Sequence, residues 1–438
     1  MRLLIACDES GGLKEIICNK GTDTSDQRAL QPFHNELHLA EGFNNRIQKM
    51  LLIGSSHSLL ARANGSLQLV RFDQERRNVD EDDVTKQPQF DVTNFKIVSS
   101  VEGLFDEQQI IDLHKRSQKR SKPRDGFVSL CTIPTKATHV FSATKSGCIH
   151  IIEVNVEEDS LKTVQSHKVK APLEFTQIYD LDEQMKNLVF AYGGEENLVK
   201  LADLSADFST LKQLWEAKNV KNDRLDLKVP IWPMELKFLK PADGSFENKI
   251  NYQFITISRF SHYRKYQTIH GRKPISSKAL LKKGESLALL KFTNAELTPL
   301  GNLEKNEFEP LNFVTTDLRK NVMVFDSEGN LQGKIGNGDI TGCVTFLDTY
   351  KHRYLLTGGL DRYARVYQLE NKKLLCKCFT GGKISCLLIL DDKEVEIPQT
   401  EEISKKKKAR KLTQEEHLAD DEELWSKLDR KVKRSKKE

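Results

Sequence analysis

The 438-residue sequence predicts an all-β chain folded as a closed seven-bladed β-propeller, and three observations lead there. A short apolar run, a tight polar turn and a second, alternating run recur along residues 1–390. The spacing of the turns leaves room for seven such units. The segment after the last unit supplies the one strand that the first unit lacks.

The first copy spans Leu3–Ile17, and others occupy 59–70, 140–152, 188–201, 313–325 and 354–367, with turn centres near residues 11, 65, 147, 197, 321 and 362. Asn64-Gly65, Ser146-Gly147 and the Asp-containing turns accept the positive φ that a tight hairpin demands. The interval from 197 to 321 is more than twice either neighbour, and Tyr252–Tyr266, with its turn near 261, fills it as the seventh unit. Seven four-stranded units close a ring in which each buries its faces only against its neighbours. If Leu3–Cys7 and Leu13–Ile17 are the second and third strands of the first blade, its first strand must come from elsewhere, and Lys383–Leu390 follows the final unit. A ring closed by both terminal strands leaves no free sheet edge. The chain therefore divides into a propeller at 1–390, with a long insertion at 72–126, and a charged, disordered or partly helical tail at 391–438.

Composition narrows the class. Hydrophobic residues make up 38%, enough for a substantial core, and no run approaches the roughly 20 apolar residues of a spanning helix. The apolar stretch Leu3–Cys7 is too short for a signal-peptide core and reads as a strand, so secretion and membrane insertion are not expected. The eight cysteines lie scattered in strand-like segments without a C-x-x-C pair, which suits reduced, mostly buried thiols and a nuclear or cytosolic compartment. The net charge of +5 belongs to residues 1–390, because the tail carries 14 Lys/Arg against 14 Asp/Glu, segregated into blocks of one sign.

Three charged segments interrupt the repeat. Residues 72–126 hold an apolar patch (Leu104, Phe105, Ile110, Ile111, Leu113) followed by six basic residues in ten, among them Lys115, Arg116, Lys119 and Arg120. The second, Glu216–Lys228, carries Lys218, Lys221 and Arg224 and leads into Val229-Pro-Ile-Trp-Pro233. The third includes Arg264 and then His270, Arg272 and Lys273. In an antiparallel blade of strands a to d, d–a connections and b–c turns share one side, here the top, and a–b and c–d turns share the bottom. Residues 115–124 and 217–228 read as d–a connections and 258–264 as a b–c turn, which places Lys115, Arg116, Lys119, Arg120, Lys218, Lys221, Arg224 and Arg264 on a phosphate-contacting top face. His270–Pro274 reads as a c–d turn on the bottom, with the tail. Within the tail, Lys405, Lys406, Lys407, Lys408, Arg410 and Lys411 resemble a nuclear import signal. Farther on, Leu424, Trp425 and Leu428 form the apolar stripe of a helix suited to a partner groove.

No catalytic constellation emerges. His34-Asn-Glu-Leu-His38 lacks the glutamate that a zinc hydrolase places after its first histidine. The sequence has no nucleophile elbow, Walker loop or dinucleotide fingerprint, and Gly193-Gly194 and Gly358-Gly359 sit just before blade turns. A propeller hydrolase would need convergent carboxylates or metal ligands in its channel.

Gly358–Tyr367 resembles a WD-repeat core, although no blade carries the Trp-Asp dipeptide itself. That resemblance implies that Asp361 is a structural turn aspartate. Taken with Gly21–Ser25, Phe190–Leu198, Trp215–Leu225, Val229–Pro233 and His270–Pro274, the chain is similar to the Nsa-one family of WD-repeat ribosome-biogenesis factors of budding yeast, whose animal relative is WD-repeat protein seventy-four. The resemblance implies a non-catalytic nucleolar scaffold that binds pre-ribosomal proteins and rRNA in precursors of the large (60S) subunit. It further implies release by a AAA-type ATPase, no cofactor, no membrane and a monomer outside the particle. A WD-repeat adaptor that presents peptide substrates, for example to a ubiquitin ligase, is the alternative and would use the same top face.

Overall fold

A computed structural model describes residues 1–76, 88, 90–117, 124–180, 187–222, 224–239, 250–282, 284–293 and 312–397. Its described residues form seven four-stranded antiparallel sheets, a seven-bladed β-propeller. Blade one takes Ile384–Asp391 as its innermost strand, followed by Arg2–Cys7, Gly12–Ile17 and His34–His38. Blade two is Ile47–Ile53, His57–Arg62, Leu67–Arg76 and Asp91–Val101. Blade three is Phe127–Ile133, Lys136–Thr144, Cys148–Asn155 and Ser160–Lys168, and blade four is Phe175–Ile178, Leu188–Gly194, Asn197–Leu204 and Leu211–Glu216. Blade five is Pro233–Leu239, Gln253–Ser258, His262–Gln267 and Ser276–Ala279. Leu287–Phe292, Phe313–Asp317, Val322–Phe325 and Leu331–Ile335 make blade six, and Val344–Tyr350, Tyr354–Gly359, Tyr363–Gln368 and Leu374–Phe379 make blade seven. No described helix is long and apolar enough to cross a membrane.

The b strands are largely apolar and mostly buried because neighbours cover both of their faces. Every residue of Arg2–Cys7 and Tyr354–Gly359 is buried. Their alternation appears in the seams instead: Leu3 and Ile5 pack toward blade seven with Tyr354, Leu356 and Val366, whereas Leu4 and Ala6 pack toward blade two with Ile47, Leu60 and Val70. Five further clusters fill the remaining seams in the same way. Closure follows from the register Leu4↔Leu388 and Ile5↔Leu387, which pairs the C-terminal strand antiparallel to the first.

A backbone tie repeats with the blades. In six of them the N–H of the first b–c turn residue donates to the carbonyl just before strand a: Asp8 to Lys383, Ala63 to Arg46, Lys145 to Gly126, Arg259 to Trp232, Leu318 to Ser286 and Leu360 to Cys343, all at 2.8–3.2 Å. These carbonyls and amides are satisfied without side chains, so sequence divergence leaves the tie intact. Blade four uses Glu174 N–H to Gly193 carbonyl at 2.8 Å instead. A β-carbon on Gly194 would collide with the Pro172 carbonyl there.

Residues 72–126, expected as an insertion, are in part an integral piece of blade two: they supply the outer strand Asp91–Val101 and the helix Glu107–Ser117. Asp106 caps that helix, its Oδ1 accepting from the Gln109 N–H at 3.1 Å. Leu104 and Ile110 are buried, and Phe105 meets Phe127 with ring centroids 4.9 Å apart, over the seam between blades two and three. Met1–Gln74 with Thr93–Glu394 forms one compact unit. Glu75–Val92 with Val395–Glu438 forms a second, of which only 75, 76, 88, 90–92 and 395–397 are described.

Candidate interaction face

The connection from blade four to blade five presents Lys218, Lys221, Arg224 and Lys228, all exposed. Its shape is held by short polar bonds: Asn219 Nδ2 donates to the Val229 carbonyl at 2.7 Å, and Asn222 Nδ2 donates to Asp226 Oδ1 at 2.9 Å. Lys218, Lys221 and Arg224 have no carboxylate within ion-pair distance among the described residues. Exposed cations on a fixed loop are what a phosphate backbone selects.

The c–d connection of blade five comes to the same place. The Lys218 N–H donates to the Arg272 carbonyl at 2.7 Å, and Arg272 Nε donates to the Glu216 carbonyl at 2.6 Å. Glu216 also lies between two cations, 3.2 Å from Lys200 Nζ and 3.6 Å from Arg272 Nη2. Burial lowers the Lys200 ammonium despite that carboxylate. His270, Arg272 and Lys273 are exposed. The expected separation of this turn onto the bottom face is therefore corrected: it lies beside the 217–228 connection. Each strand of a blade is rotated by roughly 20–25° from the next, so the outer strand swings by about 60–75° and its upper end meets the next blade's lower connection.

Arg264 is the second correction. The turn comprises Arg259–Ser261, and Arg264 lies within strand His262–Gln267, 6% exposed beneath the connection, where Nη1 is 3.5 Å from Asn219 Oδ1. It positions the loop rather than meeting a partner. The accessible base of that turn is Arg259, whose guanidinium stacks 4.9 Å from the Trp232 ring, with Phe260 beside it at 6.4 Å. The sequence places Arg259 in this charged b–c turn, but its pattern singled out Arg264 as the contact residue instead.

Lys115 is exposed on the Glu107–Ser117 helix, 3.4 Å from Asp112, and Arg116 lies on the same helix. This helix sits at the seam of blades two and three, two seams from the 217–228 connection, so the structure does not join the two basic groups into one patch. Lys119, Arg120, the cluster Lys405–Lys411 and the stripe Leu424, Trp425 and Leu428 lie outside the described residues.

Asp361 is taken up within its own blade. Its Oδ2 accepts from Arg365 Nη2 at 2.8 Å and from the Thr341 N–H at 3.3 Å. His34 and His38 lie on the outer strand of blade one, on one face with Glu15, whose carboxylate is engaged by Arg2 Nε at 3.4 Å and by the Thr93 N–H at 3.1 Å.

No family model matches the sequence. Ribosome biogenesis protein NSA1 of Eremothecium gossypii is 45% identical over 437 residues, covering 100% of this chain and 98% of its own. The protein of the same name from Saccharomyces cerevisiae is 45% identical over 459 residues, with the same coverage. The chain belongs to the NSA1 family. A more distant NSA1, from Yarrowia lipolytica, is 24% identical over 462 residues, covering 100% of this chain and 96% of that one. Among solved structures, Sqt1 of Saccharomyces cerevisiae aligns with a TM-score of 0.47 at 9% identity, covering 80% of this chain and 88% of that one.

Proposed function

We propose that this NSA1-family chain is a non-catalytic assembly factor of the large (60S) ribosomal subunit. In this reading it acts in the nucleus and nucleolus as a scaffold for pre-ribosomal proteins and rRNA. The tail supplies nuclear targeting through Lys405–Lys411 and a docking helix at Leu424, Trp425 and Leu428. A AAA-type ATPase removes the chain, which is monomeric outside the particle. Full-length similarity to proteins named for ribosome biogenesis carries the reading.

The RNA side of the scaffold is best placed on the flank of blades four and five, where Lys218 meets Arg272, Lys221, Arg224 and Lys273 are exposed on the same two connections, and Arg259 stacks on Trp232 in the neighbouring turn. Cations neutralise phosphates, and the half-buried Trp232 ring with the exposed Phe260 offers a base-stacking surface. The protein side fits the top of blades five to seven, where Phe260, Leu318 and Leu360 occupy successive b–c turns at 42%, 38% and 53% exposure.

A tagged chain is expected to sediment with large-subunit precursors, and recovery solely among free proteins would reject the assembly role. Reversing Lys221 and Arg224 to Glu is expected to lower association with RNA and to flatten its salt dependence by roughly 0.7–0.9 log units for each phosphate no longer neutralised. Unchanged association would remove this flank from the RNA site.

A further inference from the structure

We propose that Cys18, Cys376 and Cys378 form a buried three-thiolate metal site, selective for Zn²⁺, that staples the outer edge of the seam between blades seven and one. The three sulfurs lie within 4.8 Å of one another, at 0%, 1% and 0% exposure. Cys376 and Cys378 stand two apart on the outer strand of blade seven, so both face the seam. The intervening Lys377 turns the other way and reaches Asp339 Oδ1 at 2.6 Å. Cys18 directly follows the third strand of blade one, and the chain beyond it zips onto the same outer strand: the Gly21 N–H donates to the Leu375 carbonyl at 2.7 Å and the Lys377 N–H to the Thr22 carbonyl at 2.9 Å. The Gly21–Ser25 segment is thereby explained as the clamp that carries Cys18 to its two partners.

The chemistry of the donors selects the ion. Three thiolates around zinc, at about 2.3 Å each, stand roughly 3.8–4.0 Å apart, so the sulfurs need to contract by under about 1 Å. Soft thiolates exclude Ca²⁺ and Mg²⁺. Between the thiophilic d¹⁰ ions, three thiolates with Zn²⁺ leave a single negative charge in an apolar seam, whereas Cu⁺ leaves two, and buried charge is costly. Zinc binding would release the thiol protons to solvent as the thiolates coordinate.

The test uses the full chain purified without chelator. Elemental analysis is expected to find one zinc per chain, and Cd²⁺ is expected to displace it with the ultraviolet charge-transfer absorption of three Cd–thiolate bonds. Cys376→Ser and Cys378→Ser should each weaken Zn²⁺ binding by roughly tenfold or more, while Cys131→Ser, at another seam, leaves it unchanged. A folded wild-type chain that takes up neither zinc nor cadmium stoichiometrically would overturn the site without recourse to any variant. So would a cadmium absorption that survives both serine substitutions, or peptide mapping that finds Cys18 in a disulfide with Cys376 or Cys378.

Discussion

Asp339 is the residue on which blade seven's polar network turns. Its carboxylate accepts from Arg365 Nε at 2.8 Å, Lys377 Nζ at 2.6 Å and the Tyr367 hydroxyl at 3.2 Å. Burial opposes its ionisation, yet Lys377 and Arg365 hold the carboxyl below its usual range. Arg365 is 2% exposed, so removing one of its two carboxylate partners leaves a buried charge half-compensated. Asp339→Asn is expected to cost about 2–3 kcal/mol at neutral pH, read from the midpoint of chemical denaturation. Because the folded-state value is depressed, the stabilisation is complete above the ordinary carboxylate range near about 4 and is lost as pH falls through the folded value. The gap between wild type and the variant should therefore narrow on acidification, and a gap independent of pH would show that the network is not what the substitution removed. Asp361 was anticipated through the WD-repeat resemblance of Gly358–Tyr367, and its bonds to Arg365 Nη2 and the Thr341 N–H keep it within blade seven. The burial of Arg264 was not legible, because whether it faces out or in depends on the turn ending at Ser261, where φ is 63°.

At the scale of elements, regular strands were legible and irregular connections were not. The turn residues and apolar b strands placed all seven hairpins, since both signals are local and each blade repeats them. The outer strand Asp91–Val101 shows little hydrophobic alternation, because only one of its edges and part of one face meet the ring. Likewise, the meeting of Arg272 with Glu216 depends on strand twist accumulated across two blades, which no single segment encodes. The helix Glu107–Ser117 offers a direct check on how such an element is held. Asp106 both caps it and receives Lys168 Nζ of blade three at 2.5 Å, a bond that holds the Asp106 carboxyl below its usual range. Asp106→Ala is expected to cost the helix about 1 kcal/mol and to raise protease cleavage within residues 102–126 while the remaining blades stay resistant. Equal sensitivity across the chain would mean instead that the cap supports the whole ring.

For the whole molecule, closure is the property that joins these scales, because every blade but one is contiguous in sequence. Blade one alone borrows its inner strand, so the N- and C-terminal parts fold only together. Removing Ile384–Asp391 would leave Arg2–Cys7 as an unpaired edge and uncover Leu3, Leu4 and Ile5, which are 0% exposed in the closed ring. At about 25 cal/mol per Å², uncovering a few such side chains costs roughly 1.5–3 kcal/mol each, a sum comparable with the whole stability of an ordinary domain. A chain ending at Glu394 is therefore expected to melt in one cooperative transition at the temperature of the full chain. One ending at Lys383 should aggregate, or melt broadly and bind a hydrophobic dye. Gly358→Ala probes the same seam without deleting anything: its new β-carbon would lie 2.5 Å from Ile384 Cγ2 on the closing strand. Displacing that strand is expected to cost about 1–3 kcal/mol. If the Lys383 truncation instead melted like the full chain, the outer edge of the seam, with its clamp at Gly21–Ser25 and its three thiols, would have to hold the ring shut without the inner strand.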